Sequence, residues 1–506
     1  MPVNKKKIAK NVLMLYIRMG IVLIVSLYTS RVVLQQLGAS DYGLYNVVGG
    51  IIAMLNFMNG TLSSGVQRFY NVHKANDDNK ALCKVFSSSI VIMAVFALIL
   101  VVLAETVGLW FLNNKLNIPE DRMMVANWVY QLSIISAVAS ISSIPFSALY
   151  TAYEDFNIYA FLSIVLAVGN LGIAFLLKAS SFDKLLFYSS MMCLLLLLYN
   201  FSIFIIAHKK YSKIRWVYHK EKEVYKSLLS FSGWNVLGVS MFMVMNQGVN
   251  MILNMFFGTI VNAARGIAFQ IASKMEGFIV NIQTATNPQI VQLYARGETK
   301  ALESLVDDNF RWNFSLYWLI ALPVVVEINY ILKIWLGDVP EYTAIFTVII
   351  ITQYLLRCFE RPVVMLNFAV GDMKSINIFI TIEVVITIAL ICFCFKMGFP
   401  PYWAFLWAVL YEAVGLFYKM LKARQYHIFS FRHFLKRIVF PVGVIILISF
   451  GCVYSISQFV PSGFLRLIIS LIISTLLSST LIYLLLLTKD NRVKVRSIIQ
   501  KKLLRK

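Results

Sequence analysis

Fourteen stretches of this chain read as membrane crossings, and that pattern restricts its fold more than any other feature. They lie near 11–34, 42–66, 86–112, 123–150, 156–177, 183–207, 228–257, 260–287, 310–336, 343–369, 374–395, 401–421, 438–458 and 464–488. A helix needs about 20 mostly apolar residues to cross a bilayer, and within hydrocarbon only helices and closed barrels satisfy their own backbones. Of the 506 residues, 59% are apolar and 14% charged, whereas a soluble globular chain carries about 45–50% and about 25%. These proportions exclude a soluble globular enzyme, a disordered chain and a secreted disulfide scaffold. The connecting segments are too short to hold a folded soluble domain. The fold class expected is therefore an all-α polytopic membrane protein with about 14 transmembrane helices.

The net charge of +22 comes from 46 Lys and Arg against 24 Asp and Glu. A basic balance in a soluble chain points to nucleic acid; here no nucleic-acid partner is expected, because Lys and Arg in short loops set membrane orientation. With the N-terminus inside, 33 of the 46 cations fall on the inner side, Lys419 counted among them with the basic stretch after the twelfth segment. Six fall outside (Lys115, Arg122, Lys178, Lys184, Lys396 and Arg466), and seven within spans. The split predicts both termini on the inner, cytoplasmic side. The N-terminal MPVNKKKIAKN leads into an apolar run carrying Arg18 and Arg31 and reads as a first span, not a cleaved signal. The six cysteines include no C-x-x-C pair and read as small apolar side chains. Neither a metal nor a cofactor is expected.

The polar stretch 208–227 (HKKYSKIRWVYHKEKEVYKS) divides six spans from eight. The organisation read from this is a first lobe at 1–207, a basic linker at 208–227, a second six-span lobe at 228–423, two appended spans at 424–488 and a basic tail at 489–506. An offset of 220 residues aligns Gly38 with Gly258, each in the turn between the first two spans of its half. Parallel repeats of this kind occur in transporters.

A charge at the bilayer centre is costly, so a retained one faces a cavity or a partner. Arg18 lies deep in the first span; Arg31, near its outer end, either snorkels or faces the same cavity. In the eighth segment Arg265, Glu276, Gln283 and Asn287 fall within about 40° of arc at about 100° per residue. Gln270, Lys274 and Asn281 form a second stripe opposite. Either Arg265 and Glu276 pair internally or the helix lines a cavity. Asn235, Asn246, Asn250 and Asn254 lie within about 100° on the seventh segment and read as interhelical glue or as a sugar-binding face. In the tenth, Gln353, Arg357, Glu360 and Arg361 cluster before Pro362, with Glu360 placed to neutralise either arginine as a cavity patch or gate. Glu383 and Glu412 are lone intramembrane acids, each a candidate for H+ or Na+ coupling or for pairing with a neighbouring helix. Cations exceed acids in the first, second, seventh and eighth segments together. That sign favours an anionic substrate, and guanidinium suits phosphate.

Residues 12–50 combine a polar first span, the turn Arg31, Leu34, Leu37, Gly38, Asp41, Tyr42 and Gly43, and a Gly-rich second span. This region, with the fourteen-segment layout, resembles the bacterial polysaccharide flippases of the multidrug/oligosaccharidyl-lipid/polysaccharide exporter superfamily. The resemblance implies a MATE-like arrangement of two six-helix lobes plus two C-terminal helices, working by alternating access in the bacterial inner membrane. It implies an undecaprenyl-pyrophosphate-linked oligosaccharide as cargo, as in O-antigen and lipopolysaccharide assembly, with polysaccharide assembly proteins as partners. Arg18, Arg31 and Arg265 are the matching positions for substrate contact, with Lys274 and Arg357 secondary. Competing readings are a cation-coupled drug exporter, a peptidoglycan lipid-precursor flippase and an integral-membrane glycan polymerase or ligase. The last would be expected to show a large outer loop, and the chain has no G-x-x-x-x-G-K-[ST] phosphate loop.

Overall fold

The computed structural model describes residues 5–55, 63, 66–67, 69–70, 73, 78–153, 155–219, 221–371, 373–425, 429–493 and 496, with backbone alone for 5–19, 54–55, 156, 159, 227–239, 278, 281, 284–285, 288, 292, 295 and 373. Every regular element among them is helical. The long helices are α1 (Lys5–Leu55), α2 (Asn79–Leu103), α3 (Met123–Ser142), α4 (Phe156–Ala179), α5 (Lys184–Lys210), α6 (Lys222–Phe257) and α7 (Thr259–Ala295). They continue with α8 (Thr299–Val326), α9 (Ile328–Leu336), α10 (Thr343–Val370), α11 (Met373–Lys396), α12 (Trp403–Gln425), α13 (Phe440–Phe459) and α14 (Phe464–Leu481). Local chemistry sets several starts. Asp78 accepts from the Ala81 amide at 2.9 Å and Asp183 from the Leu186 amide at 2.9 Å, each satisfying an amide that the first turn leaves open.

Among the described residues ten helices are long and apolar enough to span a bilayer, or eleven if α8 and α9, bent by 78°, count as one. The chain is thus a multi-pass membrane protein, although the count of fourteen is not reached on this measure. The difference has identifiable sources. The first two expected spans run together as α1, and part of 42–66 lies outside the described residues. Helices α6 and α7, at the seventh and eighth expected spans, are not among the ten; they carry the amides and charges noted above.

Two glycines interrupt what would otherwise be continuous helix. Gly38 inside α1 has φ 77° and ψ 169°, and Gly258 between α6 and α7 has φ 78° and ψ −172°. Residues with a Cβ rarely adopt this conformation, so the positions aligned by the repeat are corners of one geometry.

The chain packs as two compact units, Met1–Gly266 and Ile267–Lys506. The boundary by packing falls inside α7, beyond the basic stretch 208–227. In the first unit α1 packs against α3, α4, α5 and α6, and α3 against α2 and α5. Its largest buried side chains include Tyr70, Tyr130 and Tyr150, whose hydroxyls donate to the carbonyls of Pro145, Ala104 and Ile203 at 3.2, 2.9 and 2.7 Å. Each buried hydroxyl therefore has a partner, as hydrocarbon requires. Val91, Val95, Leu98 and Val102 form an exposed apolar series along α2, the face expected against lipid. In the second unit α10 packs against α8 and α12, and α8 also against α13 and α14.

Two of the six cations read as outer-loop residues form clamps. Arg122 bridges Asp41 (3.0 and 2.6 Å) and Asp183 (2.5 and 3.3 Å), joining α1, the start of α3 and the start of α5. Arg466, on α14, donates to Glu327 at 3.0 Å, and Ser470 donates to the same carboxylate at 2.7 Å. Glu327 occupies the break between α8 and α9 and is fully buried, so these contacts hold the bend.

Arg122→Ala is expected to cost about 1.5–3 kcal/mol, the range for hydrogen bonds to charged groups, lowering the melting temperature in detergent, with Arg122→Lys recovering only part of the loss. Burial pushes the Asp183 carboxyl up, and hydrogen bonds from Arg122 and the Leu186 amide outweigh it, leaving the group below its usual range. A lowered carboxyl stabilises the fold above its unfolded-state value and loses that contribution as pH falls through the folded one. The wild-type and Arg122→Ala melting temperatures are therefore expected to converge below about pH 4.

Candidate functional site

Besides the clamps, two polar clusters among the described residues bear on function, one in each unit. In the first, the close approach of α1 to α7 depends on Gly43: a Cβ there would lie 1.7 Å from the Thr259 carbonyl oxygen. Beside it Ser40 and Thr259 share a hydroxyl hydrogen bond of 3.0 Å. A chain of amides follows. The Asn117 backbone amide donates to Asn254 Oδ1 (2.8 Å), Asn254 Nδ2 to Asn262 Oδ1 (3.0 Å), and Asn262 Nδ2 to Asn250 Oδ1 (2.8 Å). Asn250 Nδ2 then donates to the Asn46 carbonyl at 3.3 Å. Asn250, Asn254 and Asn262 are buried. In this conformation Asn250 and Asn254 join α6 to α7 and α1, which is the glue of the two readings given by the sequence.

Arg265 lies one turn beyond this knot. It is 6% exposed, and its Nη2 donates to the backbone carbonyl of Asn246 at 2.5 Å and to Asn246 Oδ1 at 3.1 Å. Arg31 is half-buried and has no ion-pair partner among the described residues. The side chains of Arg18, Asn235 and Asn281 lie outside the described residues.

The second cluster is built on α7, α10, α11 and α12. Glu412 accepts from Arg357 Nε at 3.1 Å and from Gln353 Nε2 at 3.2 Å. Glu276 takes Arg361 in a direct ion pair and lies 3.6 Å from Arg357. Arg357 also stacks over Tyr354, 4.3 Å from the ring centroid. Glu360, placed by sequence beside the two arginines, instead pairs with Lys419. Glu383 is 8% exposed, and neither of its carboxylate oxygens has a hydrogen-bond partner among the described residues. It approaches α12 at Gly415, where a Cβ would lie 3.2 Å from Glu383 Oε2 and 3.6 Å from Lys419 Nζ.

The second cluster therefore holds four carboxylates, Glu276, Glu360, Glu383 and Glu412, and three cations, Arg357, Arg361 and Lys419. With every group ionised it carries one negative charge, which a proton or a bound cation neutralises. Lys419 had been read as part of a solvated basic loop; its distance from the end of the apolar run concealed that α12 continues to Gln425 and buries it. Arg357 is engaged on two carboxylates. Lys274 is half-buried, with no ion-pair partner among the described residues.

The fold and both clusters can be set beside proteins of known structure. No protein-family model matches the chain, and no curated protein matches it. Solved structures do. A structure described as the lipid II flippase MurJ in an inward closed conformation superposes with a TM-score of 0.67 at 14% identity, over 94% of this chain and 98% of that one. An inward-facing multidrug resistance MATE family transporter of the MOP superfamily gives 0.61 at 13% identity, over 81% and 98%. A MOP superfamily transporter from Pyrococcus furiosus, described by the reversed polarity of its binding pocket, gives 0.58 at 14%, over 82% and 95%. The fold is thus MATE/MurJ-like. The structures that share it are transporters and flippases, not enzymes.

Arg357→Ala leaves the buried Glu412 without its cation and takes one of two from Glu276. Breaking a buried pair in this way costs about 3–5 kcal/mol, so the variant is expected to lose yield and melt well below wild type in detergent. Arg357→Ala combined with Glu412→Gln is expected to recover part of the loss, measured as a thermal shift on both purified variants.

Proposed function

We propose that this protein flips an undecaprenyl-pyrophosphate-linked oligosaccharide from the inner to the outer leaflet by alternating access, for surface polysaccharide assembly. The observation that carries the reading is the setting of Arg265, a guanidinium buried within a membrane helix and held by the carboxamide of Asn246, next to a cluster whose described polar side chains are amides and hydroxyls. Guanidinium matches a pyrophosphate in geometry and charge, and amides both donate to and accept from sugar hydroxyls. Arg18, Arg31 and Lys274 are further cationic contacts for the cargo in this proposal, in a chain organised as a lobe at 1–207, a linker at 208–227 and a lobe at 228–423. Asn246 and Asn250 act at the gate. Arg357, with Glu276, Glu360 and Arg361, serves the stability and gating of the second lobe, because its charge is already matched.

The site lies in the bacterial inner membrane with both termini cytoplasmic, and assembly proteins receive the cargo on the outer side. Glu383 and Glu412 belong to the cluster that is one cation short, and they are the coupling groups for H+ or Na+. The drug-exporter reading is the weaker one, since an acid-dominated cavity in the first lobe is what lipophilic cations need. A peptidoglycan lipid-precursor flippase stays as a second reading on one ground: the MurJ likeness extends over 94% of the chain, including a length that the MATE likenesses do not reach. Both cargoes carry the same polyprenyl pyrophosphate.

Arg18 and Arg265 are each replaced by Ala and by Lys in cells that depend on the chain for surface glycan. Loss of one or two charge-assisted hydrogen bonds predicts a fall in display of about tenfold or more for Arg265→Ala, with a smaller fall for Arg265→Lys. Normal display from all four variants at normal protein levels overturns the cationic-cavity reading. Rescue of cells lacking their own peptidoglycan-precursor flippase selects the second reading. Glu383→Gln is expected to abolish the response of flipping in reconstituted vesicles to a pH or sodium gradient while leaving the protein folded; an unchanged response removes Glu383 from coupling.

A further inference from the structure

Between α5 and α6 the described residues 211–219 and 221 have almost no regular structure and yet are fixed at several points on α2. The Val217 amide donates to Ser87 Oγ at 2.7 Å, and the His219 ring meets Ser88 Oγ at 2.9 Å and the Lys84 carbonyl at 3.0 Å. The Arg215 amide reaches Cys83 Sγ at 3.5 Å, and Lys84 pairs with Glu221. Tyr211 and Ile214 are turned inward and buried. The segment therefore has a pinned inner face and a defined outer one.

Its depth follows from the helix that pins it. Ser87 precedes Val91, where the exposed apolar series of α2 begins, by four residues, or about 6 Å of helix rise. The segment thus runs one turn outside the level at which α2 starts to face lipid. Its outer side chains are unlike those of a solvated loop: Trp216 is 56% and Tyr218 68% exposed, with ring centroids 6.4 Å apart. Lys213 and Arg215 beside them are exposed, and neither forms a side-chain ion pair among the described residues.

We propose that residues 211–219 form a docking surface for anionic phospholipid headgroups, with Trp216 and Tyr218 in the headgroup layer and Lys213 and Arg215 against the phosphates. Three observations select this occupant. The rings stand at the boundary where Trp and Tyr are favoured, apolar on one side and wet on the other. The flanking charge is of the sign that anionic headgroups attract, with each Lys or Arg near such a surface contributing to binding. The anchoring hydrogen bonds hold the outer face at a fixed distance from the lipid-facing stripe of the same helix, so the bilayer itself reaches it. The inference does not depend on the cargo or on the reading of Arg265.

The test uses the full chain reconstituted in vesicles of phosphatidylcholine alone and of phosphatidylcholine with phosphatidylglycerol. The emission of Trp216 is isolated as the difference between wild type and Trp216→Phe. Lipids brominated near the top of the acyl chain are expected to quench that emission, and more strongly when the brominated lipid is phosphatidylglycerol. Lys213→Gln and Arg215→Gln are each expected to lower the preference for phosphatidylglycerol over phosphatidylcholine by about fivefold, with melting temperature and Trp216 emission in detergent unchanged. Emission that is unquenched and as red as in detergent overturns the proposal, as does quenching that is equal for the two lipids and indifferent to both charge variants. Shielding of Trp216 only when cell extract is added to the vesicles assigns the surface to a protein and overturns it as well.

Discussion

Hydrocarbon offers no water to a charged side chain, and the described architecture follows largely from how each charge within it is answered. The second unit answers with a network. Arg357, Arg361 and Lys419 pair with Glu276, Glu360 and Glu412, which ties α7, α10 and α12 together, and Glu383 of α11 lies against α12 at Gly415. Removing one partner of a buried pair leaves the other uncompensated, which makes the network a support. The first unit answers differently. Its buried Arg265 donates to the backbone carbonyl and to the side-chain carboxamide of Asn246, beside a knot of amides that joins α6 to α7 and α1.

The clamps place a limit on the charge-asymmetry argument. Lys and Arg counts give an orientation because most cations are free to lie on either side, yet Arg122 and Arg466 are held where they are by Asp41, Asp183 and Glu327. Two of the six cations expected on the poorly populated side are therefore held by structural contacts, and they account for two exceptions to the asymmetry.

Much of the fold was legible because hydropathy is a local quantity. Each expected span is mostly helical where it is described, and the bend at Glu327 falls within a single expected span. The turn at Gly38 was legible for the same reason: a glycine at a corner marks a backbone conformation directly. The clusters were less legible, since pairing is decided by helix rotation and tilt that no single segment contains. Glu360 had two arginines as near neighbours in sequence and pairs with Lys419 from another helix. Lys419 looked solvated because the apolar run fades before α12 ends. The amides of α6 carried two meanings in sequence, and the bonds from Asn262, on the helix that follows, give the interhelical one a geometry at Asn250 and Asn254. Arg122 gave no signal beyond its charge, because both of its partners are distant in the chain.

The matched corners at Gly38 and Gly258 bear on directionality. A carrier built from two alike halves would have no inherent preference between facing one side of a membrane and facing the other. These corners share one backbone conformation that side chains disfavour, so drift at either position is restrained and the two turns stay alike. The corners are thus alike in backbone while the clusters are unlike in chemistry, amides and hydroxyls beside Arg265 and carboxylates around Arg357.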